Sequence, residues 1–323
     1  MKKILVTRKI PEAGLKLLKE KYEVEMNPHD RNMTSQEIKE AIKDKDGLLC
    51  LLSNSITAEI MDAAPNLKVI ANYAVGYNNI DIEAATERGI MVCNTPDVLT
   101  EATADLAWSL LMSVSRKILV SDQYVRAGEF DGWAPMLHLG GDIYGKTLGV
   151  VGMGRIGTAV ARRGALGFNM DVLYTARTRK TESEEEFGAR KVELDELIAK
   201  SDYISLNCPL TEETRYMIGA EKFERMKDTA YLINTARGPV VDEKALVKAL
   251  QEGQIAGAGL DVYENEPELT PGLDELDNAV LTAHIGSGTL ETRTKMSEMN
   301  AEDIIAVLEG NTPENIVNKQ LLD

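Results

Sequence analysis

Histidine is scarce in this chain, with three among 323 residues, at positions 29, 138 and 284. Any reaction that passes a proton through an imidazole must use one of them. Cysteine is equally scarce. Cys50, Cys93 and Cys208 are odd in number and lie far apart with no C-x-x-C spacing, which fits a reducing cytoplasm better than a disulfide framework or zinc site. No apolar run approaches a membrane span, and Ile4-Leu5-Val6 behind Met1-Lys2-Lys3 breaks at Thr7-Arg8-Lys9, too soon for a signal peptide. Positive charge is also short: 36 Lys and Arg against 52 Asp and Glu leave a net -16, which argues against nucleic acid and anionic membranes as partners. An acidic chain that binds an anion must concentrate arginine locally, which directs attention to Arg155, Arg177, Arg179 and Arg237. Lys16, Lys19 and Lys21, like Lys39, Lys43 and Lys45, alternate with acids on helical faces and are expected at the solvated surface.

What the chain does have is alternation. Its length exceeds what one core usually supports, so two domains are expected. Short apolar runs at Ile4–Val6, Gly47–Leu52, Val69–Ala71 and Ile90–Val92 are interleaved with helical patterns at 12–21, 57–63 and 82–88, which reads as a parallel sheet with crossover helices. A long apolar helix, 100–116, follows as a spine joining the domains. Beyond Gly145 the alternation restarts with Thr147–Val151, Val172–Tyr174, Tyr203–Leu206, Tyr231–Ile233, Ile255–Leu260 and Val280–Ala283, six buried strands. The final helix is expected at Leu290–Leu308. The charge run at 181–186 reads as a solvated loop. Residues 123–145, with Phe130, Trp133, Met136, Leu137 and Leu139 among glycines, break the pattern; this apolar excursion covers either a neighbouring subunit or its own domain.

Directly behind the first strand of the second series stands Gly152-Met153-Gly154-Arg155-Ile156-Gly157. A glycine turn between strand and helix lets backbone N–H groups approach a pyrophosphate at the positive end of the helix. The pattern alone is weak, but here the flanks on both sides supply the required strand and helix.

Candidates for chemistry are few. His29 is expected at the surface and His138 lies in the apolar excursion. His284 follows the last strand, where strand ends meet a binding crevice. Arg237, following the strand that begins at Tyr231, projects at the same edge, where a guanidinium can clamp a carboxylate with two parallel hydrogen bonds. Glu266 is the third candidate, since a carboxylate beside an imidazole holds its tautomer and favours its protonated form; Glu264 and Glu268 compete with it for that place. Cys208 is expected to be a buried, inert thiol.

Taken together, Asn94-Thr95-Pro96-Asp97-Val98-Leu99-Thr100, the glycine turn, Asn234-Thr235-Ala236-Arg237-Gly238, Gly257 to Tyr263 with Glu266-Pro267, and His284-Ile285-Gly286-Ser287 resemble the D-isomer-specific 2-hydroxyacid dehydrogenases. Asn72-Tyr73-Ala74-Val75-Gly76-Tyr77 is most similar to the glyoxylate and hydroxypyruvate reductase branch. The likeness covers nearly the whole chain. It implies two doubly wound α/β parallel-sheet domains: a flavodoxin-like substrate-binding domain, 1–99 plus 287–323, and a Rossmann dinucleotide-binding domain, 100–286.

The resemblance also implies the chemistry, hydride transfer between a nicotinamide and a small 2-oxo or 2-hydroxy acid. Arg237 would bind the substrate carboxylate, and His284, paired with Glu266, would donate the proton. Val75 and Gly76 would complete the carboxylate site through their N–H groups, and Leu52 and Ser53 would bound the far side of the substrate. Gly152 to Gly157, Thr103, Thr235, Ala236, Asp261 and Gly286 would serve the cofactor, with Cys208 and Pro209 on the adenosine side. One departure is informative. The second nucleotide-domain strand runs into Ala176-Arg177-Thr178-Arg179-Lys180 without the acid that commonly holds the ribose hydroxyls of NAD, which favours NADP(H) and leaves NAD(H) possible. The family's bulky tryptophan from the apolar excursion has no clear equivalent; Leu137 falls near its place. A homodimer through residues around 116–145 and a cytoplasmic enzyme are expected. Alternatives are a dehydrogenase of D-lactate, glycerate or phosphoglycerate, against which stands the lack of a regulatory extension, and a nucleotide-sensing binding protein like the corepressors of this fold, against which stands the lack of tails.

Overall fold

The computed structural model describes residues 1–322. The chain divides into two compact units, Met1–Leu99 with Ser287–Asp323, and Thr100–Gly286. Each is built on one parallel sheet.

In the first unit the strands β1 (Lys3–Val6), β2 (Glu23–Met26), β3 (Gly47–Cys50), β4 (Val69–Asn72) and β5 (Met91–Cys93) stand in the order β2-β1-β3-β4-β5. This is the flavodoxin-like order. Strands β3 and β4 are buried along their whole length, as their mainly apolar sequences require when helices cover both faces of a sheet; β4 ends on the buried Asn72. Ile38, Ile42, Leu48, Ile56, Ile70 and Val92 form the core on one side. The closing helix, Leu290–Leu308, starts on Thr289, whose side chain accepts from the N–H of Thr292.

The second unit carries β6 (Thr147–Val151), β7 (Asp171–Thr175), β8 (Arg190–Lys191), β9 (Tyr203–Leu206), β10 (Tyr231–Asn234), β11 (Gly257–Leu260) and β12 (Ala279–Leu281), in the order β12-β11-β10-β9-β6-β7-β8. The order reverses between β6 and β9, the switch point at which a doubly wound sheet opens its binding crevice. Separate apolar clusters pack against the sheet, one around Leu197, Leu232 and Phe223, the other around Trp108, Val150 and Tyr174.

Several expectations are corrected. The stretch 181–186 is not a loop: Thr181–Phe187 is a helix, with Glu182 and Glu184 in the first turn, where acids complement the helix dipole, and Gly188 closing it in the left-handed conformation. The sheet of this unit has seven strands rather than six, the extra one being the two-residue edge strand β8. The excursion at 123–145 begins inside a helix, Ile118–Arg126. Lys45 is not on a solvated face; it is 4% exposed and its Nζ lies between Glu25, at 2.9 Å, and Asp44. No helix among the described residues is long and apolar enough to cross a membrane, and no group of His, Cys, Asp or Glu among them could hold a metal ion.

Candidate active site

Strands β10, β11 and β12 are parallel neighbours, so the residues that follow them share one edge of the seven-stranded sheet. After β10 the chain turns on Asn234. Its buried side chain accepts from the N–H of Ala236 at 3.0 Å and donates to the carbonyl of Arg237 at 3.1 Å. The guanidinium of Arg237 donates through Nη1 to the Ala236 carbonyl at 2.7 Å. Burial lowers its pKa and the carboxylate of Glu266 opposes that shift; an arginine retains its charge regardless.

After β12, His284 sits at φ 53°, in the left-handed region, and the turn beyond it is held by Asp261, the residue that follows β11. Asp261 is 1% exposed. Its Oδ1 accepts from Thr282 Oγ1 at 2.6 Å and from the N–H of Ile285 at 2.8 Å, and its Oδ2 from the N–H of Gly286 at 2.8 Å. Thr103 Oγ1 donates to the Gly286 carbonyl at 3.3 Å. The strained conformation of His284 is therefore fixed by groups on both sides of it in sequence.

The choice among Glu264, Glu266 and Glu268 is decided by geometry. Glu266 Oε2 lies 2.9 Å from His284 Nδ1, and its Oε1 accepts from the N–H of Tyr263 at 3.0 Å. Burial would raise the Glu266 carboxyl, but the hydrogen bond and charge of His284, the Tyr263 N–H and Arg237 together hold it below the usual carboxylate range. Glu264 instead accepts from Tyr216 Oη at 2.6 Å. An ionised carboxylate can only accept, so Nδ1 of His284 carries the hydrogen and Nε2 is the nitrogen left for other chemistry. Arg237, Glu266 and His284 thus converge. Of the other histidines, His29 is exposed and His138 packs edge-on against the ring of Tyr124, with 5.0 Å between centroids.

At the switch point the glycine turn has the shape a dinucleotide needs. Gly152 has φ 92°, and a Cβ there would stand 2.6 Å from the N of Cys208; a Cβ on Gly157 would stand 2.1 Å from the carbonyl oxygen of Gly152. Neither position admits a side chain, so the turn keeps its backbone bare. Gly154 caps the helix Arg155–Phe168, whose first N–H groups have no intrahelical acceptor, while Met153 is buried beneath. The buried Thr235 Oγ1 and Asn207 Oδ1, beyond the carboxyl ends of β10 and β9, have no hydrogen-bond partner among the described residues. These atoms fit a ligand with polar edges, and the turn fits its pyrophosphate. Cys208 and Pro209 follow β9; burial pushes the Cys208 thiol up to about 11, which makes it the inert thiol expected. Past β7 come Ala176, Arg177, Thr178 and Arg179. Arg179 is 73% exposed and pairs through Nε with Glu184 at 2.7 Å, and Arg177 lies close enough to Glu213 to help lower its carboxyl.

In the first unit, the loops after β3 and β4 carry Leu52, Ser53, Val75 and Gly76. Asparagines that the motifs do not mark as functional fasten them. Asn79 Nδ2 donates to the carbonyls of Leu51 and Asn54 at 3.2 and 3.0 Å, Asn72 Nδ2 to that of Gly76 at 2.8 Å, and Asn94 Nδ2 to that of Val75 at 2.7 Å. The available signal was an asparagine directly at a strand end, a residue type that hydrogen-bonds nearby backbone in turns.

Residues 108–286 match the family described as D-isomer specific 2-hydroxyacid dehydrogenase, NAD binding domain. A glyoxylate reductase of Thermococcus onnurineus is 52% identical over 325 residues, covering 99% of this chain and 97% of that protein. Among solved structures, the TT0316 protein of Thermus thermophilus has a TM-score of 0.91 at 46% identity, covering 98% of this chain and 99% of the other. The NADPH-dependent glyoxylate/hydroxypyruvate reductase of Sinorhizobium meliloti, in complex with NADP and malonate, has a TM-score of 0.87 at 34% identity, covering 98% and 96%. The chain belongs to the D-isomer-specific 2-hydroxyacid dehydrogenases, nicotinamide-dependent oxidoreductases that act on 2-oxo acids. Within them it falls in the glyoxylate reductase branch.

Proposed function

We propose that this enzyme reduces glyoxylate and hydroxypyruvate to their 2-hydroxy acids, with NADPH preferred over NADH. The observation that carries this reading is the His284–Glu266 pair beside Arg237. Arg237 clamps the substrate carboxylate by two parallel hydrogen bonds and draws density from the adjacent carbonyl. The nicotinamide, when bound, supplies the hydride. The protonated Nε2 of His284 donates to the carbonyl oxygen as negative charge develops there, and Glu266 stabilises the imidazolium and keeps its ring oriented. Asp261 and Thr103 position that loop through Ile285 and Gly286. The N–H groups of Val75 and Gly76 are assigned to the carboxylate as well, and Leu52 and Ser53 to the far side of the substrate. The unit 1–99 with 287–323 is accordingly assigned to substrate and 100–286 to the dinucleotide.

Gly152 to Gly157 would receive the pyrophosphate and Thr235, Ala236 and Gly286 the nicotinamide half. Cys208 and Pro209 would receive the adenosine, and Arg177 to Arg179 its 2'-phosphate. The exposed Phe130, Trp133, Met136, Leu139 and Tyr144 are assigned to a homodimer contact in the region 116–145; Trp133 is 86% exposed. The cysteines are free and buried, which suits a reducing cytoplasm. Oxidation of NADPH with a panel of glyoxylate, hydroxypyruvate, pyruvate and oxaloacetate tests the reading. Turnover is expected with the first two, and absence of turnover with both overturns it.

A further inference from the structure

Beside the loop assigned to substrate stands a chain of polar side chains that the reaction does not use. Strand β1 lies between β2 and β3, so the residues after all three meet at one edge of the five-stranded sheet. Arg8, after β1, donates from Nε to Asp30 Oδ1 at 2.8 Å, from Nη2 to the Asp30 carbonyl at 3.2 Å and from Nη1 to Asn32 Oδ1 at 3.1 Å. Ser53, after β3, donates from Oγ to the same Asn32 oxygen at 3.0 Å.

The direction of these bonds is fixed by chemistry. A guanidinium has donors only, so the Asn32 atom facing Arg8 is the oxygen, and the Ser53 hydroxyl that meets this oxygen must donate its single hydrogen to it. Ser53 Oγ is left with lone pairs alone. It can accept a hydrogen bond and cannot give one.

From this we propose that Ser53 is a hydroxyl acceptor that selects 2-oxo acids bearing a hydroxyl on C3, with Asn32 and Arg8 as the positioning residues that hold it in that state. The inference rests on the assignment of Ser53 to the far side of the substrate. The C3 hydroxyl of hydroxypyruvate supplies a hydrogen to the waiting lone pair. The C3 methyl of pyruvate offers none, and the second carboxylate of oxaloacetate brings a further acceptor. Glyoxylate has no C3 group and is indifferent to this contact.

The test is the ratio of kcat/KM for hydroxypyruvate to that for glyoxylate, measured with NADPH in the full-length enzyme. Ser53→Ala should lower the ratio by about five- to tenfold, the range expected for one hydrogen bond to a neutral group. Asn32→Leu should lower it too, but by less than Ser53→Ala, because the freed Ser53 hydroxyl is no longer held in place as an acceptor yet can still pair with the C3 hydroxyl. Asn32→Asp should keep the ratio within about twofold, since a carboxylate oxygen still accepts from both Ser53 and Arg8. A ratio unmoved by Ser53→Ala, or moved equally by Asn32→Leu and Asn32→Asp, overturns the proposal. A parent enzyme inactive on glyoxylate and hydroxypyruvate alike instead overturns the underlying reading of the reaction.

Discussion

Oε2 of Glu266 stands 2.9 Å from Nδ1 of His284, while the N–H of Tyr263 holds the other carboxylate oxygen. Two donors on one carboxylate leave it little freedom to turn away. Because the Glu266 pKa is depressed against the effect of its burial, the group stays ionised as pH falls and loses its charge only below the usual carboxylate range.

Glu266→Gln removes that charge and keeps the shape. The neutral amide oxygen can still accept from Nδ1 of His284 but holds the ring less firmly than an anion, so kcat for glyoxylate should fall about tenfold or more while KM changes little. A kcat within about twofold of the parent would make Glu266 a structural residue.

Arg237→Lys keeps a positive charge but loses the planar fork. A fall in kcat/KM on the order of 10²-fold or more is expected for glyoxylate, with a much smaller change in cofactor affinity read from nicotinamide fluorescence. Near-normal turnover would reject the clamp.

Asp261→Asn tests how His284 is held in its left-handed conformation. An amide has one acceptor oxygen, whereas Asp261 serves Ile285 N–H on one oxygen and Gly286 N–H on the other. Either orientation of the amide sets a donor against a half-buried backbone donor, which costs at most about 1–3 kcal/mol. Thermal unfolding should show a lower Tm, with kcat falling more than KM changes. An unaltered Tm would show that the turn at His284 is held by other contacts.

Much of this architecture was legible because burial writes itself into sequence. The stretches Val69–Ala71 and Tyr231–Ile233, covered on both faces, read as unbroken apolar runs. Edge strands do not: Glu23-Val24-Glu25-Met26 alternates with half its residues exposed, and Arg190–Lys191 is two charged residues whose pairing depends on a neighbour. The helix at 181–187 was hidden because its acids, read as a solvated charge run, stabilise a helix start and engage Tyr174 and Arg179 across the turn. Glu264 and Glu266 cannot be told apart by spacing. They are separated only by Tyr216 and His284, which lie 48 and 18 residues away. Asn72 and Asn94, two of the three asparagines that fasten the loops after β3 and β4, stand in motifs that carry the family resemblance and Asn79 does not, but the partners of all three are carbonyls, which no residue type announces.

The cofactor preference turns on a competition visible at the end of β7. Arg179 is held by Glu184, which also accepts from Tyr174 Oη at 2.8 Å, so a 2'-phosphate must draw the guanidinium from a carboxylate already in place. That carboxylate carries one charge, and the guanidinium it holds is itself exposed to solvent, so the pair is weakened by screening. A phosphate carries more charge and three acceptor oxygens, and Arg177 and the hydroxyl of Thr178 are there to share it. Charge-assisted bonds of this kind contribute roughly 1.5–3 kcal/mol each, so the balance favours NADPH over NADH by about tenfold or more. The Arg177→Ala, Arg179→Ala double variant should lose most of that preference through a higher KM for NADPH, with KM for NADH little changed. Equal or NADH-favouring kcat/KM values in the parent, unchanged in the double variant, would show that both arginines face solvent and that the ribose is held through its hydroxyls alone.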